Sequence, residues 1–171
     1  MPELGLDLAS KRVRKRSDYG YHLDFRLRCC ETEAVKRNDN DIFGHMNNPY
    51  YGVLIDSIVN QYMIEECGYK LNKGEQAGII ANTYCDYFGS VSYPDVVDCG
   101  LRIVKLGKAS VMYEVGIFRR GEDDVKAVGG STHVYVLQKD GQLGKPDKEG
   151  MPKHMREGYE RLMKGQGAAK L

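Results

Sequence analysis

The sequence predicts an α+β domain in which an antiparallel sheet of about five strands wraps around one long helix. Three observations carry that prediction. Apolar residues from Tyr51 to Tyr62 recur at spacings of three and four, the period of a helix. Downstream the pattern changes to four strand-like stretches separated by turn chemistry. Two of those stretches are joined by Gly107-Lys108, a turn short enough to force an antiparallel hairpin.

The elements follow in order. Residues 1–20 read as a solvated, partly disordered tail, because Lys11-Arg12-Val13-Arg14-Lys15-Arg16 carries five positive charges in six residues with no hydrophobic period around it. Order begins near Tyr21, and Leu23, Phe25, Leu27 and Cys29 alternate with charged residues as in a half-buried strand. A loop dense in turn formers, Asn38 to Asn47, comes next. The helix is predicted from Pro49 to about Cys67, roughly 28 Å long, with Asn48 as N-cap, Pro49 at the first helical position and Gly68 ending it. Its apolar face is Tyr51, Leu54, Ile55, Ile58 and Tyr62, with Met63 beside them.

Strands are predicted at Ile79 to Phe88, Val96 to Leu106, Ser110 to Phe118 and Val125 to Leu137. Gly129-Gly130 within the last predicts a bulge or a close backbone approach. A short helix from Pro152 to about Lys164 places Met155, Tyr159 and Leu162 on one side. The organisation is thus a tail (1–20), a main domain (21–140) and a C-terminal extension with a short helix and tail (141–171). One sheet of this size leaves exposed edges and an open face, which oligomerisation would cover.

Composition narrows the function classes. The chain has 171 residues, the length of one domain. Its 25 Lys plus Arg against 24 Asp plus Glu give a net charge of +1, which argues against a nucleic-acid binder. No apolar run approaches a membrane-spanning length. The five cysteines, Cys29, Cys30, Cys67, Cys85 and Cys99, form no CxxC and read as small buried hydrophobes in a reducing compartment. Met1-Pro2-Glu3-Leu4 has no secretory signature, so an intracellular protein is expected.

Chemistry concentrates in Asp39-Asn40-Asp41-Ile42-Phe43-Gly44-His45-Met46-Asn47-Asn48. A calcium loop fails at its fifth and twelfth positions, Phe43 and Tyr50. A DxD phosphotransferase lacks its apolar upstream strand, and zinc lacks a His or Cys close to His45, so no metal is expected. The P-loop and G-x-S-x-G elbow are absent. Acyl transfer to water fits. A helix starting near Asn48 points N–H groups and a positive dipole end at the loop in front of it, where a thioester oxygen would gain charge. A carboxylate just upstream could attack the carbonyl or activate water.

The pattern Asp39-x-Asp41-x-x-Gly44-His45-x-Asn47-Asn48-x-x-Tyr51 resembles the signature of hotdog-fold acyl-CoA thioesterases of the 4-hydroxybenzoyl-CoA thioesterase-like group, and the resemblance runs from about Leu23 to Leu137. It implies a hotdog fold and hydrolysis of an acyl-CoA to free acid and coenzyme A, without a metal or redox cofactor. By that resemblance Asp41 is the catalytic carboxylate, and Gly44 and His45 belong to the loop meeting the carbonyl. Asn47, Asn48 and Tyr51 shape the substrate end of the helix, and Lys108 and Ser110 fall where relatives contact the nucleotide of coenzyme A. Relatives differ in which carboxylate acts, which keeps Asp56 in view. They also form homodimers or dimer-of-dimers tetramers with sites between subunits. Two other functions remain open: a non-catalytic acyl-CoA-binding or oligomeric module, and an acyl-CoA hydratase or dehydratase. His133 reads equally as packed or exposed, and His22 and His154 carry no signal.

The chain ends Ala169-Lys170-Leu171, close to the Ser-Lys-Leu tripeptide read by the peroxisomal import receptor. The expected location is the peroxisome in a eukaryote and the cytoplasm otherwise, with that receptor as a partner in the first case.

Overall fold

The computed structural model describes residues 8–27, 40–41, 43–70, 76–139 and 142–165. Asp39, Cys29, Cys30 and the Ala169-Lys170-Leu171 tripeptide lie outside the described residues.

Among the described residues, six antiparallel strands form one sheet: β1 (Tyr21–Arg26), β2 (Gln76–Tyr87), β3 (Val96–Leu106), β4 (Ser110–Arg119), β5 (Val125–Lys139) and β6 (Gln142–Pro146). The order is β1-β3-β4-β5-β2, with β6 paired to the far end of β5. The hairpin at Gly107-Lys108 closes as expected, with Leu106 opposite Val111. Strand alternation sorts the residues: Val97, Cys99 and Leu101 are fully buried on the inner face, while Asp98, Gly100 and Arg102 belong to the outer one.

The long helix α2 (Asn48–Glu65) lies along that inner face and buries Tyr51, Leu54, Ile55, Ile58, Val59, Tyr62 and Met63. Its start differs from expectation by one residue. Asn47, not Asn48, is the N-cap, and Pro49 occupies the second helical position. The helix end behaves as read: Gly68 takes φ +71°, and Tyr69 donates its N–H to the Met63 carbonyl at 2.9 Å.

Gly129-Gly130 mark a close approach and not a bulge. Register against β2 runs unbroken from Thr83↔Ser131 to Tyr87↔Ala127, and the irregularity on β2 lies at Ile80/Asn82. A Cβ at Gly130 would sit 2.1 Å from the Tyr113 carbonyl oxygen, and one at Gly129 2.4 Å from Ile55 Cδ1. Glycine lets the helix and the neighbouring strand come that near.

The basic run is the main correction. Residues 8–20 are no solvated arm; α1 (Leu8–Arg12), a 3₁₀ turn (Arg16–Asp18) and Tyr19 lie on the outer face of the sheet. Lys11 is buried, pairs with Asp86 at 2.5 Å and sits 4.2 Å over the Tyr84 ring. Arg16 meets Asp98 at 2.5 Å, and Arg14 joins Arg102 on the fully buried Glu114 at 3.0 and 2.9 Å. The physical reason is on the strands: three carboxylates on one sheet face need cations, and the segment supplies them.

The C-terminal extension likewise belongs to the same core. Met151, and Met155, Tyr159 and Leu162 of α3 (Lys153–Met163), join α2 and the inner sheet in one cluster. The Tyr159 hydroxyl is 2.7 Å from both the Tyr113 and Tyr135 hydroxyls, and Tyr62 donates to the Gly158 carbonyl at 2.7 Å. Strand β6, exposed throughout, carried no sequence signal.

Candidate functional site

The motif folds as a tight loop held at both ends. Asp41 donates its N–H to the His45 carbonyl at 2.7 Å, and Met46 donates to Val91 at 2.8 Å while burying its side chain in the core. Gly44 adopts φ +81°, a conformation that favours glycine. The Asp41 Oδ1 accepts the N–H groups of Phe43 at 2.8 Å and His45 at 3.0 Å. One oxygen of the expected catalytic carboxylate therefore braces the loop, an Asx-turn geometry. Phe43, Gly44 and His45 face solvent.

Asn47 and Asn48 follow directly as N-cap and first helical residue, so the loop abuts the positive end of α2. Pro49 removes one donor there, and Tyr50 donates to the Asn47 carbonyl at 2.8 Å. Tyr51 is buried and packs edge-to-face on Tyr87 at 4.9 Å. Burial pushes its hydroxyl up to about 12, with Cys85, Tyr87 and Asp41 adding to the effect.

Beside this helix start lies a cavity of about 410 Å³ between α2 and β2, lined by residues including Asn48, Gly52, Asp56, Ile80, Tyr87 and Ser131. Asn48 is the predicted residue that lines it; Asp41, Gly44 and His45 border the helix start instead. Asp56 contributes the cavity's carboxylate, with Oδ2 accepting from Asn60 at 2.8 Å. Cys85 is also in the wall, and burial holds its thiol up at about 11, so a thiolate nucleophile is not available there. Ile80, Ser131 and Cys85 escaped the sequence reading because they enter the site only through the pairing of β2 with β5.

Lys108 and Ser110 are not brought to the loop. Ser110 pairs with Val134 and Tyr87 with Ala127, so the hairpin and the Tyr51–Tyr87 contact are seven residues apart along β5, about 24 Å. The hairpin tip is instead gripped by the C-terminal segment. Met151 donates to the Lys108 carbonyl at 3.0 Å, and Arg156 to those of Gly107 and Lys108 at 2.7 and 3.1 Å. Among the described residues no His, Cys, Asp and Glu cluster could hold a metal ion, and no helix is long and apolar enough to cross a membrane.

Comparison with known proteins agrees with this architecture. The profile of the thioesterase superfamily matches residues 43–126, the span from the loop through α2 to the start of β5. The PA5185 protein of Pseudomonas aeruginosa is 31% identical, with 91% of this chain and 98% of that one covered at a TM-score of 0.73. A thioesterase of Thermus thermophilus complexed with coenzyme A and Zn shares the fold at a TM-score of 0.63, 22% identity and coverage of 85% and 96%. The DHNA-CoA thioesterase of Staphylococcus aureus does so at 0.65, 14% identity and coverage of 84% and 91%. No curated protein matches the sequence. The loop-to-helix match and a relative aligned over nearly its whole length agree with the antiparallel sheet wrapped on one helix: the chain belongs to the thioesterase superfamily and has the hotdog fold.

Proposed function

We propose that the protein hydrolyses acyl-CoA thioesters to free acid and coenzyme A. The observation that carries this reading is the cavity running alongside the first turns of α2, with the Asp41–His45 loop packed against the helix start. A thioester carbonyl placed at that start meets backbone N–H groups of the loop and first turn, which stabilise the charge its oxygen gains. Asp41 takes a proton from water as the water oxygen attacks the carbonyl carbon; the C–S bond then breaks and the proton passes to the departing thiolate. Attack by the carboxylate itself, through a mixed anhydride that water opens, gives the same products.

Asp56 supports a second assignment of the carboxylate, because it lines the cavity while Asp41 spends an oxygen on its own loop. Two copies would complete the site. Strand β2 is a free edge of the described sheet, with Ile80 and Tyr87 about half exposed, as are Val53 and Ile64 of α2. Antiparallel pairing of two such edges brings the hairpin end of one copy beside the Asn48 end of the other, which is how Lys108 and Ser110 would reach a bound nucleotide. A peroxisomal address on Ala169-Lys170-Leu171 stays a proposal, read by the location of a fluorescent fusion with and without the tripeptide.

The deciding experiment is release of coenzyme A from short, long and aromatic acyl-CoAs, with mass by light scattering alongside. Release by an oligomer supports the proposal. A folded oligomer that binds acyl-CoA without releasing thiol would be the binding module, and conversion of an enoyl-CoA would be the hydratase.

A further inference from the structure

The wall of the cavity beside α2 carries one charge, the carboxylate of Asp56. No lysine, arginine or histidine shares that wall, and among the described residues Asp56 makes no ion pair. Its Oδ2 accepts from Asn60 at 2.8 Å, which leaves Oδ1 unspent. Thr83 and Ser131 are in the same wall, directly paired across β2 and β5 with Cβ atoms about 5 Å apart. Neither hydroxyl makes a hydrogen bond among the described residues. Ser131 is 3% exposed, yet its Oγ is not sealed as the His133 ring nitrogens are, so the surface it keeps faces the cavity. A buried hydroxyl without a partner is destabilising, and alanine would fill the position without one.

Thr83 reaches this face through an irregularity in β2. Residues 80 and 83 are an odd number of positions apart and would point to opposite faces of a regular strand. The register shift between Ile80 and Asn82 inserts one residue. Ile80 and Thr83 therefore both line the cavity, the second opposite Ser131. The bulge thus puts two hydroxyls into the same cavity as one unpaired carboxylate.

We infer that the cavity selects acyl groups whose far end carries an ammonium group, held by Asp56, Thr83 and Ser131. The inference rests on the thioesterase reading of the same site, and it gives Asp56 a binding role that leaves proton transfer to Asp41. An ammonium has three donors and no acceptor. The cavity meets it with three acceptors, a carboxylate oxygen and two hydroxyls, each unspent within the described chain. Opposite charge supplies the attraction, and the hydroxyl oxygens replace water that the ammonium loses. A hydroxyl end brings one donor and no charge. A methyl end leaves all three groups unpaired, and sites built to bond a polar group reject the analogue lacking it. A carboxylate end meets the like charge of Asp56. Asp56 follows Asn48 by eight residues, about 12 Å along the helix, which separates the ammonium from a carbonyl at the helix start.

The test measures kcat/KM of the full-length protein on straight-chain acyl-CoAs from hexanoyl to dodecanoyl, each ending in a methyl, hydroxyl, ammonium or carboxylate group. The expected order at the fitting length is ammonium, hydroxyl, methyl, carboxylate, with ammonium about tenfold or more above methyl. Within each variant the readout is the ratio of ammonium to methyl, which a general loss of activity or stability does not move. Ser131→Ala and Thr83→Val should each lower that ratio several-fold, and Thr83→Ser, which keeps the hydroxyl, should hold it near the wild-type value. Asp56→Asn should bring it close to one; a folded Asp56→Asn protein that turns over neither form puts Asp56 in the chemistry and overturns its binding role. A wild type that turns over methyl forms as fast as ammonium forms at every length overturns the inference whether or not any variant folds. So does an undiminished ratio in both Ser131→Ala and Thr83→Val. Hydrolysis without the preference removes this assignment alone; no hydrolysis of any member removes it together with the thioesterase reading.

Discussion

Arg14 and Glu114, a hundred residues apart in the chain, meet at 3.0 Å on the outer face of the sheet. Glu114 is fully buried and shares its Oε1 among Arg14, Arg102 and the Tyr19 hydroxyl, the last at 3.3 Å. The N-terminal segment is thereby the cover of a charge that the sheet could not otherwise bury. Glu114→Ala should cost about 3–5 kcal/mol, because two partly buried guanidinium groups lose their counter-ion. Urea unfolding measures the loss, and limited proteolysis should cut within residues 8–19 before the sheet gives way.

Asp41→Asn keeps an oxygen for the Phe43 and His45 N–H groups, so the loop should survive with stability changed by less than about 0.5 kcal/mol. Turnover should fall by about 100-fold or more if this carboxylate acts on water. Asp56→Asn run beside it decides between the two carboxylates: full activity in the Asp41 variant with loss in the Asp56 variant would transfer the role.

Tyr159→Phe removes the oxygen that joins the Tyr113 and Tyr135 hydroxyls. Both are buried, so the expected destabilisation is about 1–3 kcal/mol, seen as a lower Tm. An unchanged Tm would mean that these hydroxyls find other partners.

Gly130→Ala places a methyl 2.1 Å from a backbone oxygen, which cannot swing aside as a side chain would. A loss of about 3 kcal/mol or failure to fold is expected, and circular dichroism with thermal melting reports either. Alanine at exposed Gly52, where nothing lies within 4 Å, is the control that should melt no lower.

His22 and His133 should bend the pH dependence of stability in opposite directions. The Asp98 hydrogen bond raises the His22 pKa against partial burial, so its contribution is full below about 6.5 and is lost as pH rises through the folded value. Burial lowers the His133 pKa, so stability from that site is full above about 6.5 and falls as the pH drops toward its folded value. Denaturation of His22→Gln and His133→Phe from pH 5 to 8 separates them: the first variant should lose stability mainly at the acid end, and the second should be less sensitive to acid than the wild type.

How much of this was legible follows from range. The helix from Asn48 to Glu65, the hairpin at Gly107-Lys108 and the strands around it are set by local period and turn chemistry, which a sequence displays directly. The Asp41–Asn48 loop was legible as a motif for the same reason: its hydrogen bonds close within a few residues. The N-terminal segment was misread because charge runs without a period look solvated until the carboxylates facing them are placed; Asp86, Asp98 and Glu114 are distant in sequence. The cavity was invisible for a related reason. Its wall joins Asp56 of the helix to Ile80 and Ser131 of two strands, and only strand register puts those side chains on one face.

The sequence by itself determined the fold class, the helix that organises the core and the loop that meets its start, because short-range backbone preferences and hydrophobic period suffice for each. Tertiary structure alone decided that the Gly107-Lys108 hairpin stands about 24 Å along β5 from the Tyr51–Tyr87 contact, that His133 is buried with its ring nitrogens unpartnered among the described residues, and that Asp56 and not Asp41 lines the cavity. These are outcomes of strand pairing and packing, which join residues by space and not by order along the chain.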